Sequence, residues 1–226
     1  MKSRPAMIAA LPREVSALVK GWDLRVHSGH VAVYTNGGAV VACAGMGAAR
    51  AEVAVQAAMA TMPVTALISV GLAGACDPAL EAGEIVRAGV VIDERTGERF
   101  ESSQFDQVLV SAGAIASKGE KARLRALQYA DAVDMEGAAV ARLARKHGLE
   151  FHAIKAISDE ADFEVGGLSQ FVTADGQFRE RAFALHAALR PAMWKKVIAL
   201  ERNSSKALSA LTAVLNAELE WHRKRT

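Results

Sequence analysis

Short apolar runs alternate with stretches of helical spacing along most of the chain. Residues 7–11 form a first strand-like run. Residues 12–20 follow with Val15, Leu18 and Val19 on one face, the spacing of a helix. Runs 31–35 and 39–44 flank Asn36-Gly37-Gly38, the chemistry of a hairpin turn. Gly45-Met46-Gly47 then leads into an alanine-rich helix over 48–61. Residues 66–70 read as a buried strand, 71–78 as a loop of small residues, and 84–92 as the next strand. The stretch 93–107 is polar and irregular. Beyond it the pattern predicts a strand at 108–112, a helix at 118–130, a short strand at 132–133, a helix at 136–146 and a last strand at 152–157. Helices follow at 178–189, ended by Pro191, and at 205–221. Such alternation predicts the α/β class: one domain, residues 1–226, with a mostly parallel mixed twisted sheet covered by helices on both faces.

Composition narrows the function classes. The 226 residues are 51% hydrophobic, enough for a sizeable core, and the net charge of +2 gives no global reason to expect nucleic acid. The basic run His222-Arg223-Lys224-Arg225 reads as a solvated helix end. Cys43 and Cys76 sit in small apolar surroundings and read as buried free thiols, with a disulfide or a nucleophile as alternatives; cysteines this sparse suit a reducing compartment. Met1-Lys2-Ser3-Arg4-Pro5 leads into an apolar run too short for a secretory signal, and no run approaches a membrane span. The expectation is a cytoplasmic protein with no stable membrane insertion.

Candidate chemistry concentrates in acids at strand ends. Val133-Asp134-Met135-Glu136-Gly137 and Ile157-Ser158-Asp159-Glu160 both read as apolar strands ending on carboxylates. Carboxylates delivered to one cleft can divide into an ionised group and a proton-holding one. The plainer reading is that Asp134 caps the helix after it and Asp159 caps a turn. Glu14 ends the first strand, where an acid in a helix's first turn is also favoured by the dipole. Gly45-Met46-Gly47-Ala48-Ala49-Arg50 lets backbone approach a ligand, but Arg50 stands where a dinucleotide fingerprint has its third glycine. A tight structural turn and a small-ligand site remain open there. Gly71-Leu72-Ala73-Gly74-Ala75 lies beyond a strand end, where α/β sheets bind ligands. The histidines are scattered without ligand spacing, so no metal site is expected, and His152 reads as a strand-edge residue.

Taken in order, these segments resemble the nucleoside phosphorylase and nucleosidase superfamily, and most of all 5′-methylthioadenosine/S-adenosylhomocysteine nucleosidases. Ala10-Leu11-Pro12-Arg13-Glu14-Val15 resembles the family's first acidic strand end, and Gly45-Met46-Gly47 its glycine turn. Ser69-Val70-Gly71-Leu72-Ala73-Gly74 stands at its Gly-Ser-Ala-Gly loop, and Ala82-Gly83-Glu84-Ile85-Val86 at its Gly-Asp-Ile/Val-Val strand. Val133-Asp134-Met135-Glu136 is similar to its Val-Glu-Met-Glu signature and Ile157-Ser158-Asp159 to its Ile-Ser-Asp. The resemblance implies a three-layer phosphorylase-like fold and cleavage of an N-glycosidic bond. By it, Asp159 is the acid toward purine N7, its pKa raised by burial beside Glu136, and Ser158 holds Asp159 in place. Glu136 takes the ribose hydroxyls, and Met135 packs on the sugar. Glu14 orients or deprotonates the attacking water. Ala73 and Gly74 offer backbone groups to the base or nucleophile.

The departures from the pattern bear on nucleophile and substrate. The family's loop serine is Leu72 here. Phosphorolytic relatives place an arginine where Ser69 stands, leaving Arg13, Arg50 and the Gly47 turn as the nearest phosphate or water site. Ile115 fills the place of an aromatic residue that stacks on the base. Residues 93–107 are reduced beside the usual substrate-covering loops, and Phe163, Leu168 and Phe171 are candidates to line a 5′ pocket. This shortened pattern also resembles hopanoid-associated phosphorylases, which act on an adenosyl-lipid. The reading is therefore hydrolysis of an adenine nucleoside, with phosphorolysis of a nucleoside or adenosyl-lipid as the alternative and non-catalytic nucleoside binding as the second. No cofactor is expected, phosphate being a co-substrate only in the phosphorolytic case. The resemblance also implies a homodimer or higher homo-oligomer.

Overall fold

The computed structural model describes residues 4–102, 105–164, 168–173, 176–188 and 190–224. Its strands are β1 (Pro5–Ala9), β2 (Asp23–Ser28), β3 (Val31–Thr35), β4 (Val40–Cys43), β5 (Ala66–Ala75), β6 (Ile85–Asp93), β7 (Arg99–Glu101), β8 (Gln107–Ser111), β9 (Ala132–Asp134) and β10 (Glu150–Asp159). The helices are α1 (Ala48–Thr61), α2 (Lys118–Gln128), α3 (Gly137–His147), α4 (Glu180–Ala188) and α5 (Pro191–Lys224).

The sheet is mixed, with a parallel centre β4-β1-β5-β10. On one side β3 and β2 extend it as antiparallel strands. On the other side β5 pairs with both β10 and β9, and β10-β6-β8-β9 returns to β5, closing a ring. The branch lies at Gly71-Leu72-Ala73-Gly74-Ala75. The stretch expected to be a loop continues β5 to Ala75, with β10 paired on one side and β9 on the other.

Both faces of the open arm are covered. On one face α1 and α3 lie against Ile8, Val40, Ala42 and Leu67; Ala51, Ala54 and Ala58 are at most 1% exposed and allow close approach of α1. On the other face Leu211 and Leu215 of α5 pack fully buried against Met7, Val41, Ile68 and Val70. Each such leucine contributes about 2 kcal/mol of hydrophobic stabilisation.

Other elements also differ from the sequence pattern, β7 within the stretch expected to be irregular among them. The 12–20 stretch holds only a 3₁₀ turn at Pro12–Glu14 before continuing as turns, its apolar residues Val15, Leu18 and Val19 still buried. Pro191 opens α5 rather than merely closing the helix before it; at a first helical position its missing N–H has no intrahelical acceptor to lose. The helix expected at 205–221 is thus the C-terminal part of a 34-residue helix. Among the described residues, no helix is long and apolar enough to cross a membrane.

Candidate active site

A cavity of about 660 Å³ opens at the carboxyl ends of the parallel strands. Its floor comes from segments adjoining those ends: Leu11, Arg13 and Glu14 after β1, Met46 after β4, Leu72 to Gly74 within β5, and Ser158 and Asp159 closing β10. Asp134 closes β9, Met135 and Glu136 follow it, and Ile115 and Lys121 come from the β8–α2 region. One wall is α5, through Val197, Leu200 and Leu208, with Phe178 and Phe183 before and within α4.

Glu14 is held by backbone. Its Oε2 accepts the amides of Ala10 (3.0 Å) and Leu11 (2.9 Å), and its Oε1 accepts the amide of Leu72 (3.1 Å). The side chain therefore ties the end of β1 to the middle of β5. Gly71 makes room for it: a Cβ there would lie 3.0 Å from Glu14 Oε1, and the backbone at Gly71 has φ +134°. Three donated hydrogen bonds orient the carboxylate and leave lone-pair capacity on Oε1, and Glu14 lines the cavity.

Asp134 and Glu136 stand two residues apart and take different partners. Asp134 turns inward. It accepts Ser111 Oγ (2.6 Å) and the Gly137 amide (2.9 Å), and it pairs with Lys155 Nζ at 2.9 Å. Ser111 Oγ in turn accepts the Ala138 amide at 2.8 Å, so Asp134 and Ser111 together satisfy the first turn of α3. The capping reading of Asp134 is what the structure contains. Glu136 accepts the Gly47 amide at 2.7 Å and lines the cavity. Burial, followed by the neighbouring Asp134 charge, pushes its carboxyl up to about 7; Lys155 and the Gly47 amide act in the opposite sense. Lys155 itself is fully buried. Burial would lower its pKa, but the Asp134 and Glu136 carboxylates override that and hold it above the ordinary lysine value.

Asp159 closes β10. Its Oδ1 accepts Ser158 Oγ at 2.6 Å, and Ser158 Oγ also lies 3.3 Å from the Ala73 carbonyl. Its Oδ2 accepts Lys121 Nζ, which further donates to the carbonyls of Glu160 (2.9 Å) and Phe163 (3.4 Å). The neighbour that sequence analysis expected beside Asp159 was Glu136; the neighbour present is a lysine, 2% exposed at its side chain. Gly74 is required here as well, because a Cβ on it would meet Lys121 Cε at 2.9 Å and Asp159 Oδ2 at 3.0 Å.

The remaining predicted residues divide. Met135, Ala73, Gly74, Ile115 and Arg13 line the cavity. Gly47 (φ +92°) gives its amide to Glu136, and Arg50 Nε donates to the Ala44 carbonyl at 2.6 Å, so both support the site from behind its wall. Phe163 contributes its carbonyl to Lys121. Phe171 is buried in an aromatic cluster with Phe178, Phe183 and His186. The side chain of Leu168 lies outside the described residues. Ser69 is fully buried within β5, with no hydrogen-bond partner for its Oγ among the described residues. Burial pushes the Cys76 thiol up to about 12 and raises that of Cys43 too, which keeps both protonated and unreactive. Sequence reasoning missed Lys121, Lys155, Phe178, Phe183 and the α5 wall.

The arrangement can carry acid–base chemistry on a ligand spanning the cavity, with carboxylates at three separate points and lysines behind two of them. Structures with the same fold include the native futalosine hydrolase of Helicobacter pylori (18% identity, TM-score 0.67, covering 96% of this chain and 99% of that one). The 5′-methylthioadenosine nucleosidase of Arabidopsis thaliana in apo form matches at 15% identity and TM-score 0.77, covering 99% and 97%. A 5′-methylthioadenosine/S-adenosylhomocysteine nucleosidase of Helicobacter pylori with butyl-thio-DADMe-Immucillin-A matches at 16% identity and TM-score 0.67, covering 96% and 99%. A search of curated proteins found no match. The sequence also matches a family model over residues 6–111 and 104–190, most of its length, and the chain thereby belongs to the phosphorylase superfamily.

Proposed function

We propose that this protein cleaves the N-glycosidic bond of an adenine nucleoside, such as methylthioadenosine or S-adenosylhomocysteine, by hydrolysis. The observation that carries the reading is the spacing of roles among three cavity carboxylates. Glu14 is fixed by three backbone amides, Glu136 by the Gly47 amide, and Asp159 by Ser158 and Lys121. Glu136 accepts hydrogen bonds from ribose hydroxyls and, once ionised, stabilises positive charge developing on the sugar. Met135 packs on the sugar face beside it. Asp159 faces the base and delivers the proton that lets it leave as a neutral group, help typically worth 10²- to 10⁴-fold. Glu14 positions a water on Oε1 and takes its proton as the water attacks C1′.

Water is favoured over phosphate by the charges near Glu14. Ser69 is buried within the sheet, and Arg50 is bonded to a backbone carbonyl, so Arg13 is the described arginine on the cavity wall. No cofactor enters this scheme. We read the protein as a cytoplasmic homo-oligomer acting in methionine salvage, the setting that the resemblance implies. A second reading draws on the wall of Phe178, Phe183, Val197, Leu200 and Leu208: phosphorolysis of a nucleoside with a bulky apolar 5′ group, such as an adenosyl-lipid.

Incubation with methylthioadenosine, S-adenosylhomocysteine, adenosine and inosine, each with and without phosphate, tests the proposal by release of free base. Release without phosphate is expected. Release only with phosphate selects the second reading, and binding without release under every condition selects a nucleoside-binding protein.

A further inference from the structure

Lys121 carries an inference that rests on the reading of Asp159 as the base-facing acid and goes beyond it. An ammonium group has three N–H donors. Those of Lys121 go to Asp159 Oδ2 and to the carbonyls of Glu160 and Phe163. Ser158 Oγ donates to the other Asp159 oxygen. Each Asp159 oxygen thus already has a donor, and Lys121 Nζ is the proton-bearing nitrogen in direct contact with it.

The layering supports the same assignment. The Asp159 side chain is 24% exposed, toward the cavity, while that of Lys121 is 2% exposed behind it. Cys76, after β5, feels both members and also Arg125 and Asp131. The Glu160 carboxylate turns away to Asn203 of α5 at 3.3 Å. A lysine engaged only to hold the 160–163 turn needs its two carbonyl bonds. The third, to a carboxylate that a ligand can reach, is a bond with chemistry available to it.

We propose that Lys121 is the proton store of the leaving-group site, acting through Asp159. As the C1′–N9 bond breaks, its electron pair goes to the base. Asp159 protonates N7 with a proton drawn from Lys121 Nζ, so the base departs as a neutral N7–H tautomer and Lys121 is left as a neutral amine beside an ionised Asp159. The attacking water leaves its oxygen on C1′ and its proton on Glu14. On product release that proton returns through solvent to Lys121, and the cycle closes without a net gain or loss.

The test compares a nucleoside cleaved by the wild-type protein with its N7-methylated counterpart, whose base already carries the positive charge and leaves neutral without a proton. K121R keeps the cation but does not release a proton. Its kcat on the parent nucleoside is expected to fall about 100-fold or more, with KM within about threefold and kcat on the methylated nucleoside close to wild type. K121M, which removes the cation with little change in volume, gives the same comparison should the guanidinium disturb folding, as judged by circular dichroism. The inference is overturned if the ratio of kcat on the two substrates is unchanged in the variants, since a structural role lowers both alike. It is also overturned if K121R restores turnover of the parent, since charge alone then suffices. If the wild-type protein itself releases base from neither substrate, the nucleosidase reading fails, and the inference with it.

Discussion

Asp134 and Lys155 form an ion pair at 2.9 Å in which neither side chain is more than 1% exposed. It adjoins the cavity, whose lining includes Asp134, and Lys155 also feels Glu136 and Glu14. Removing one member of a buried pair costs about 3–5 kcal/mol, since the other is left as an uncompensated buried charge. Lys155→Met is therefore expected to lower stability by roughly that amount, measured by urea unfolding near neutral pH. Asp134 would then share its charge with Glu136 unopposed, so the variant recovers stability on mild acidification. A K155M protein as stable as wild type would remove the pair from its structural role.

Glu136 sets a pH dependence with a definite sign. Its carboxyl is raised from 4.5 to about 7 in the folded protein, so between those values the folded state binds the proton that the unfolded chain has lost. The stability it contributes is fully present below 4.5 and is lost as pH rises through about 7, a difference of about 3 kcal/mol. Glu136→Gln carries no such proton. Its stability relative to wild type should rise between pH 5 and 8, read from urea midpoints at both. Turnover goes the opposite way, because an ionised Glu136 accepts the ribose hydroxyls: kcat/KM of the wild type should climb through about pH 7, a limb that the glutamine variant lacks.

These two lysines mark the boundary of what the chain disclosed before folding. The acids were legible because each ends an apolar strand, a local pattern. Lys155 stands inside an apolar run and Lys121 on a polar helix, and neither local pattern marks a charge held by a carboxylate elsewhere in the chain. Their partners lie 21 and 38 residues away, and only the sheet register and the packing of α2 bring them together. The Gly71–Ala75 segment misled for a related reason. Small residues signal a loop locally, but here they serve a strand with a partner on each side. Likewise Pro191 punctuates the sequence whether it ends one helix or starts the next, and α5 begins there because its apolar stripe then covers both β-sheet and cavity.

Gly71→Ala should injure the site more than the fold. The new methyl would meet Glu14 Oε1 at 3.0 Å, Cδ at 3.2 Å and Oε2 at 3.2 Å, on a backbone with φ +134°. The residue must either strain its backbone, at about 1–3 kcal/mol, or push Glu14 off its amides. A fall in kcat of about 10-fold or more is expected together with a lower melting temperature. A variant that loses stability while keeping full turnover would dissociate Glu14 from water activation.

Gly176 joins the aromatic cover to the floor of the site. Its carbonyl accepts the Met46 amide at 2.7 Å, and a Cβ on it would come within 2.4 Å of the Met46 carbonyl oxygen. Its φ of +73° also disfavours a side chain. Behind this contact stands the Phe171, Phe178 and Phe183 cluster, of which Phe178 and Phe183 line the cavity. Gly176→Ala should lift that cover from the Gly45–Gly47 turn without reaching the Glu14 and Asp159 contacts, while the Gly47 amide on Glu136 lies next to the clash and kcat falls with it. The expected result in binding is selective: KM rises about tenfold for nucleosides carrying an apolar 5′ group and changes little for adenosine. Phe183→Ala removes apolar contact area without touching the turn, worth about 1–2 kcal/mol to a ligand it covers, and should give the same selectivity. If KM for adenosine rises as much as KM for the 5′-substituted nucleoside in both variants, the aromatic wall does not recognise the 5′ group, and the cavity's apolar side serves the base or the sugar instead.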